Sequence, residues 1–155
     1  MSYGSKDYLY GTDIPGLTNY TSNPENDKNG KNNTQIVIDY CNSQGWNLSD
    51  AAPAFSYCIN FSPGYKDGEW YLPSMGELKL FYDNREKFKS DLSTAGITTN
   101  MDSDNVEHSV LWSSTEYSDI DSYILNPNLS NPLHHFAKYK IRYILPFLAI
   151  NYVKK

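Results

Sequence analysis

The most informative stretch of this chain is Gly68-Glu69-Trp70-Tyr71-Leu72-Pro73-Ser74-Met75-Gly76-Glu77-Leu78. Trp70 to Leu72 is a short apolar run after a glycine, which predicts a core strand. Ser74 and Glu77 have the spacing of a capping box, in which the side chain of each residue accepts a hydrogen bond from the backbone amide of the other. The stretch therefore predicts a strand that leads directly into a helix over 74–83.

Two more helices are predicted on the N-terminal side of that stretch. Asn33-Thr34 has the composition of an N-cap, so we expect a helix over 34–44, and Gly45 is a typical residue to end it. Ala51 to Ile59 predicts a second, shorter helix, in which Pro53 belongs to the first turn because it has no amide proton to donate.

The beginning and the last third of the chain predict strands and long connections. We expect a short strand at Tyr8–Tyr10, then an irregular connection rich in Gly, Pro, Asn and Asp. Ser109 to Ser113 predicts another strand, and Arg142 to Val153 is again rich in β-forming residues. Pro127 and Pro132 belong in turns or at a sheet edge. We expect the two chain ends to pair as neighbouring strands.

Bulk composition excludes several classes of partner. A chain of 155 residues is long enough for one core, and the aromatic share of 15%, with 14 Tyr, is too high for a disordered chain. The net charge of −5 argues against a nucleic-acid partner. No apolar run reaches the roughly 20 residues that span a bilayer, so direct membrane insertion is not expected. Abundant Tyr with Ser and Asn is typical of recognition loops.

The chain has two cysteines, Cys41 and Cys58. Two buried thiols that behave as small apolar residues are one interpretation, and a single disulfide is the other. The start, Met1 to Ser5, lacks the pattern of a signal peptide. The chain as given is therefore expected to be cytoplasmic or phage-borne, or to come from a cell-surface or secreted protein whose leader is absent here.

Four motifs follow one another along nearly the whole chain: Gly30-Lys31-Asn32-Asn33-Thr34, Ala51-Ala52 with Cys58, the stretch Gly68–Leu78, and Leu111-Trp112-Ser113-Ser114-Thr115-Glu116. Together they resemble a bacterial family of C-type lectin-like domains, many of which are attached to surface proteins. The resemblance implies a single domain over residues 1–155. It also implies an α+β, C-type lectin-like fold, in which two helices flank a small twisted antiparallel sheet with long loops.

The last third resembles a narrower group, the variable proteins of diversity-generating retroelements. The resemblance rests on Trp112–Glu116, on the aromatic Tyr123 seven positions later, and on the ending Leu145–Ile150. In that group a reverse transcriptase copies a template repeat with errors at adenines, so asparagine codons change to many others. Tyr117–Asp121 and Leu133–Phe136 look like such randomised asparagines, because their mixture fits neither a strand nor a helix pattern.

The resemblance implies a hypervariable, ligand-contacting surface in this part of the chain. Apolar side chains exposed there would form an uncovered patch unless a partner binds them, whereas an ordinary variable loop is the alternative interpretation. Trp112 to Glu116 is expected to be a central strand, and Glu116 either binds an ion or begins the exposed surface. The predicted ligand-contacting residues are Tyr117, Ser118, Asp119, Ile120, Asp121, Tyr123, Ile124, Asn126, Asn128, Leu129, Asn131, Leu133, His134, His135, Phe136 and Tyr139.

Metal binding is not the expected function. His134 and His135 are adjacent, and neighbouring residues on a strand point to opposite faces, so the two rings do not easily bind one ion. A calcium site built from Asp102, Asp104, Glu107, Asp119 and Asp121 is a minor alternative. The sugar-binding members of the fold use Glu-Pro-Asn or Trp-Asn-Asp loops, and the sequence contains neither.

Catalysis is not expected either. The same broad fold includes the formylglycine-generating enzymes, but these use cysteines in the C-terminal part, whereas Cys41 and Cys58 lie in the first half. No Ser-His-Asp motif, glycosidase carboxylate pair or phosphate-binding glycine loop is evident. We therefore expect a receptor or adhesin that needs no cofactor and binds a protein or glycan on another cell or surface, as a monomer. The alternatives are a structural subunit of a surface appendage and an ordinary glycan-binding lectin-like domain.

Overall fold

A computed structural model describes residues 1–17, 22–61, 69–94, 110–127 and 129–149. In these residues all of the helices precede four of the five strands. A 3-10 turn at Pro24–Asn26 is followed by the helices α1 (Gly30–Ser43), α2 (Leu48–Ala51), α3 (Pro53–Ile59), α4 (Met75–Asp83) and α5 (Arg85–Thr94). The strands are β1 (Glu69–Tyr71), β2 (Leu111–Glu116), β3 (Asp121–Leu125), β4 (Leu133–Ala137) and β5 (Phe147–Ala149). The fold is mixed α+β, as predicted.

In the described residues the strands form two antiparallel sheets and the chain has five helices, whereas a single sheet flanked by two helices was expected. One sheet has the order β2-β3-β4, and the other pairs β1 with β5, so that Trp70 lies opposite Leu148. Within the described ranges the expected pairing of the chain ends is represented by one bridge, between Ser2 and Ile141. The last strand pairs with β1 instead, which a local pattern does not reveal because the two strands are far apart in the sequence.

The predicted strand at Tyr8–Tyr10 is wrong. The amides of Tyr8 and Tyr10 both donate to the carbonyl oxygen of Ser5, at 3.3 and 3.1 Å, so the chain turns there. This turn buries Leu9 completely, and it directs the carbonyl oxygens of Leu9 and Thr12 toward the side chain of Lys138.

Helix α1 begins at Gly30, four residues earlier than predicted. Asn33 and Thr34 are buried inside the helix and do not cap it. The amide nitrogen Nδ2 of Asn33 donates to Asp27 Oδ2 at 2.8 Å, and Thr34 Oγ1 accepts the amide of Leu72 at 3.1 Å. These polar side chains thus bind other parts of the fold. Gly45 follows the helix at a φ of 69°, a conformation that glycine adopts without strain.

Several local predictions are confirmed. Pro53 occupies the first turn of α3, although this helix begins at Pro53 and not at Ala51, which is the last residue of α2. Helix α4 starts after Ser74, whose backbone amide donates to Glu77 Oε2 at 2.8 Å, as in a capping box. Strand β2 lies near the predicted position but extends to Glu116, while Ser109 lies outside the described residues. The expectation that Trp112–Glu116 forms a central strand is wrong, because β2 stands at one end of the strand order and β3 is central. The predicted turns after residue 61 and the ending after residue 149 also lie outside them.

Successive side chains of a strand point to opposite faces of the sheet, and core clusters cover both faces of β2 and β3. Trp112 and Ile124 pack into one core cluster with residues of α1 and α3 and with Tyr3 from the N-terminal segment. Leu111, Tyr123 and Leu125 pack into a second cluster with Met75 and Leu78 of α4. As a result every residue of β2 is buried.

Cys41 and Cys58 are free thiols in the core, so the disulfide alternative is wrong. Burial raises the pKa of Cys41 to about 11 and that of Cys58 to about 12. Both thiols are therefore protonated at neutral pH and are poor nucleophiles.

The buried carboxylate of Asp27 connects three distant parts of the chain. Its Oδ1 accepts the amide of Asn29 at 3.0 Å, while Oδ2 accepts Nδ2 of Asn33 at 2.8 Å and the hydroxyl of Thr115 at 2.7 Å. The carbonyl oxygen of Asp27 accepts the amide of Gly76 at 2.9 Å. Among the described residues no lysine or arginine contacts this carboxylate, so hydrogen bonds alone compensate its burial.

Glycine is required where α4 approaches this network. A Cβ atom on Gly76 would lie 2.3 Å from the carbonyl oxygens of both Asp27 and Glu25, and these backbone atoms have no free rotation. A Cβ atom on Gly30 would lie 2.6 Å from the backbone nitrogen of Ser74. The two glycines therefore allow the N-terminal ends of α1 and α4 to pack closely together.

We predict that Gly76→Ala destabilises the protein by about 1–3 kcal/mol, because the new methyl group overpacks against two carbonyl oxygens. Helix propensity alone predicts the opposite sign, a gain of up to about 1 kcal/mol. Urea denaturation measures the difference. Ser90→Ala on the exposed side of α5 is the control and should change stability by less than about 0.5 kcal/mol. A Gly76→Ala protein as stable as the wild type would contradict the predicted close contact.

Candidate ligand-binding surface

The predicted ligand-contacting residues lie on the hairpin of β3 and β4 and on the loops at its two ends. Strand β4 is one of the two edge strands of the three-stranded sheet, and its side chains alternate between half-buried and exposed. The loop 117–120 precedes β3. Pro127 and Pro132 lie between β3 and β4 and outside both strands, as expected.

Most of the predicted residues are accessible, and we call these the display surface. They divide into an exposed group and a half-buried group, while Asn128 lies outside the described residues. The exposed ones are Asp119, Ile120, Leu129, Asn131, His134 and Phe136; the half-buried ones are Tyr117, Ser118, Asp121, Asn126, Leu133, His135 and Tyr139.

Tyr123 and Ile124 do not belong to this surface, and their prediction as ligand-contacting residues is wrong. They are 5% and 2% exposed. Both lie on β3, which is the central strand, so β2 and β4 flank it and core clusters cover its two faces. Tyr123 supports the surface from below, since its ring lies 5.5 Å from that of Tyr117 in an edge-to-face contact.

One group of side chains on the display surface is held by mutual contacts. The rings of Tyr117 and His135 stack with centroids 3.8 Å apart and planes within 7°. His135 Nδ1 lies 2.8 Å from Asp121 Oδ2, and the hydroxyl of Ser118 accepts the amide of Asp121 at 3.1 Å. The loop before β3 is thereby tied to the edge strand, which gives this part of the surface a defined shape.

A second group joins aromatic rings to cations. The ammonium of Lys6 lies 4.4 Å from the ring centroid of Tyr139, and the guanidinium of Arg142 lies 4.4 Å from that of Phe136. Ile141 and Tyr143 extend this region and are 75% and 62% exposed. Sequence reasoning missed both, because the β-forming composition of this segment suggested a paired and buried strand.

Glu116 and Lys138 form a fully buried ion pair beneath the display surface. Glu116 therefore neither begins the exposed surface nor is free for an external ion, and both earlier interpretations are wrong. Burial raises the pKa of the Glu116 carboxyl, and the Lys138 ammonium opposes that shift. Burial lowers the pKa of Lys138, and Glu116 counteracts it. The sequence contained no local sign of this pair, because its members are 22 positions apart.

Both histidines of the display surface and the carboxylate of Asp121 contact near neighbours, whereas Asp119, another of the alternative calcium ligands, is exposed. His134 Nδ1 lies 2.8 Å from the carbonyl oxygen of His135. Among the described residues, no group of three or more His, Cys, Asp or Glu side chains has a geometry that would hold a metal ion. Of the alternative calcium ligands, Asp102, Asp104 and Glu107 lie outside the described part of the chain, and Asp121 contacts His135.

Comparisons with known proteins do not place the chain in a family. Scans against protein-family models, curated proteins and solved structures gave no match. In the described ranges no helix has the length and apolar character needed to cross a membrane. The function of the display surface must therefore be inferred from its own residues.

Ile124 and His134 provide a direct test of the boundary between core and display surface, because they are paired across β3 and β4. We predict that Ile124→Ala lowers the free energy of unfolding by about 2–5 kcal/mol, since it leaves a cavity beside Trp112. His134→Ala should change it by less than about 0.5 kcal/mol, because the side chain is exposed. Thermal or urea unfolding measures both values. If the two variants lost equal free energy of unfolding, Ile124 would not be a core residue distinct from a surface residue at His134.

Proposed function

We propose that this chain is a binding domain of the C-type lectin-like class whose display surface contacts a protein or glycan ligand. The observation that carries the proposal is the separation of two sets of residues within one short segment. Ser113–Glu116, Ser122–Leu125 and Lys138 are buried and form a frame, whereas the display surface around them is accessible. Such a surface can change its side chains with little effect on the core.

Exposed apolar side chains favour binding over a purely solvated surface. Ile120, Leu129 and Phe136 are 42%, 44% and 37% exposed on the same hairpin and its loops. Ligand-binding surfaces commonly contain such anchors among polar residues. Tyr117 and Tyr139 add large rings that remain compatible with water through their hydroxyl groups.

The positions of the quoted motifs support the proposed fold class. Three of these motifs, far apart in the sequence, meet at Asp27: Asn33 comes from the first, Gly76 from the stretch Gly68–Leu78, and Thr115 from the last. A resemblance based on unrelated fragments would not be expected to converge on one buried network. The motifs therefore behave as parts of a single scaffold.

The distribution of residue types supports diversification by a retroelement. Accessible positions carry Tyr, Ser, Asp, Ile, Leu, His and Phe without a regular pattern, and Asn126 and Asn131 remain asparagine. The buried positions Ser113–Thr115 have small polar side chains that bond to the scaffold, such as the hydroxyl of Ser113, which donates to the carbonyl oxygen of Tyr123 at 3.0 Å. A mutable receptor requires accessible positions that tolerate many residue types beside buried positions that hold the scaffold, and this distribution fits that requirement.

Replacing the three exposed apolar anchors together tests the binding function. We predict that the triple variant Ile120→Ala, Leu129→Ala, Phe136→Ala loses at least roughly tenfold in affinity for any ligand that the wild type binds on protein and glycan arrays. Its melting temperature should stay within about 4 °C of the wild-type value, because exposed side chains contribute little to stability.

The chain offers a matched control on a different face. The variant Ile59→Ala, Leu80→Ala, Phe88→Ala removes the same three residue types from exposed positions on α3, α4 and α5. It should bind as the wild type does. A ligand bound equally by the wild type and by the display-surface variant, but lost by the control variant, would place the binding function on the helices and overturn the proposal.

A further inference from the structure

The ammonium group of Lys138 lies in a buried site made of oxygen atoms. It donates to the carbonyl oxygens of Thr12 at 3.1 Å and Leu9 at 3.5 Å, and to Oε1 of Glu116. An ammonium group has three hydrogens to donate, so these acceptors satisfy it completely. The ring of Tyr3 lies 5.9 Å from the same nitrogen and closes the site on one side.

The surroundings of Lys138 have the chemistry of a cation site. Two backbone carbonyls and one carboxylate contact the ammonium, and the carboxylates of Asp13 and Asp119 favour its positive charge from a greater distance. The second oxygen of Glu116, Oε2, is buried and has no hydrogen-bond partner in the described part of the chain. Carbonyl and carboxylate oxygens of this kind are the ligands that hard metal cations also take.

The site connects the display surface to the N-terminal loop, residues 9–12. Glu116 is the last residue of β2, directly before Tyr117, and Lys138 directly follows β4. The amide of Gly11 donates to the carbonyl oxygen of Asp119 at 3.0 Å, so the loops 9–12 and 117–121 also touch each other. One ammonium group therefore pairs with the Glu116 carboxylate and donates to carbonyl oxygens at the point where three chain segments converge.

We propose that Lys138 is a tethered cation that positions the display surface, so that the loops 9–12 and 117–121 are ordered without a dissolved metal ion. This extends the proposed function, because ligand contact at the surface is then independent of calcium. Lys138 itself is buried and does not contact ligand; it is a positioning residue. The proposal concerns the order of the loops, so it stands or fails separately from ligand binding.

Chemical rescue of Lys138→Ala tests the proposal. The substitution removes three carbons and the ammonium, which together have the composition of propylammonium. Hydrogen exchange read by mass spectrometry should show at least roughly tenfold faster exchange in segments 9–12 and 117–121, while α1 stays protected. Propylammonium chloride should restore half or more of the lost protection. Tetramethylammonium chloride, which has no N–H to donate, should restore none.

A control variant and a calcium comparison complete the test. Lys140→Ala, an exposed neighbour, should exchange as the wild type does, and wild-type exchange should be the same in calcium and in EDTA. If Lys138→Ala does not fold in plain buffer, hydrogen exchange cannot be compared, and the test becomes whether the variant refolds when propylammonium chloride is added. We expect that it does. Unchanged loop protection in Lys138→Ala, protection or refolding that propylammonium fails to restore, or wild-type loops that require calcium would each overturn the proposal.

Discussion

The fold depends on one buried carboxylate, that of Asp27, which is held by hydrogen bonds without a contacting lysine or arginine in the described residues. Burying a charge is costly unless hydrogen bonds or an opposite charge compensate it, and the partners of Asp27 come from α1, β2 and the residues beside α1, so these elements converge at this point. That convergence brings backbones so close that Gly76 and Gly30 leave no room for a methyl group. Polar residues of the motifs, such as Asn33 and Thr115, therefore bind the Asp27 carboxylate, and the glycines beside them allow the close packing.

The network fixes β2, and β2 in turn determines which residues can vary. The hydroxyl of Thr115 binds both Asp27 and the amide of Met75, so the strand is anchored to α4 on one side. Core clusters cover both faces of β2 and β3, whereas β4 and the loops around it are partly exposed. The display surface is accessible because it lies at the edge of a sheet whose interior is already filled.

Features set by neighbouring residues were predictable, and features set by distant contacts were not. The helix start at Ser74, the helix end at Gly45 and the place of Pro53 follow from local backbone chemistry. The burial of Tyr123 and Ile124 depends on β3 being the central strand, which is decided only when β2 and β4 pair with it. Likewise, Glu116 and Lys138 each look like exposed residues until the fold brings them together. Most of the display surface was found because its irregular composition is itself a local property.

The most direct test of a diversified surface on a fixed frame is to sequence the DNA that flanks the gene. The account predicts a near-copy of the stretch encoding Trp112 to Ile150, beside a reverse transcriptase gene, that differs only at adenines. The differing codons should fall on accessible positions such as Tyr117–Asp121, His134 and Phe136, and should spare Ser113–Glu116 and Tyr123–Leu125. No such copy, or a copy whose differences fall on the buried frame, would contradict it.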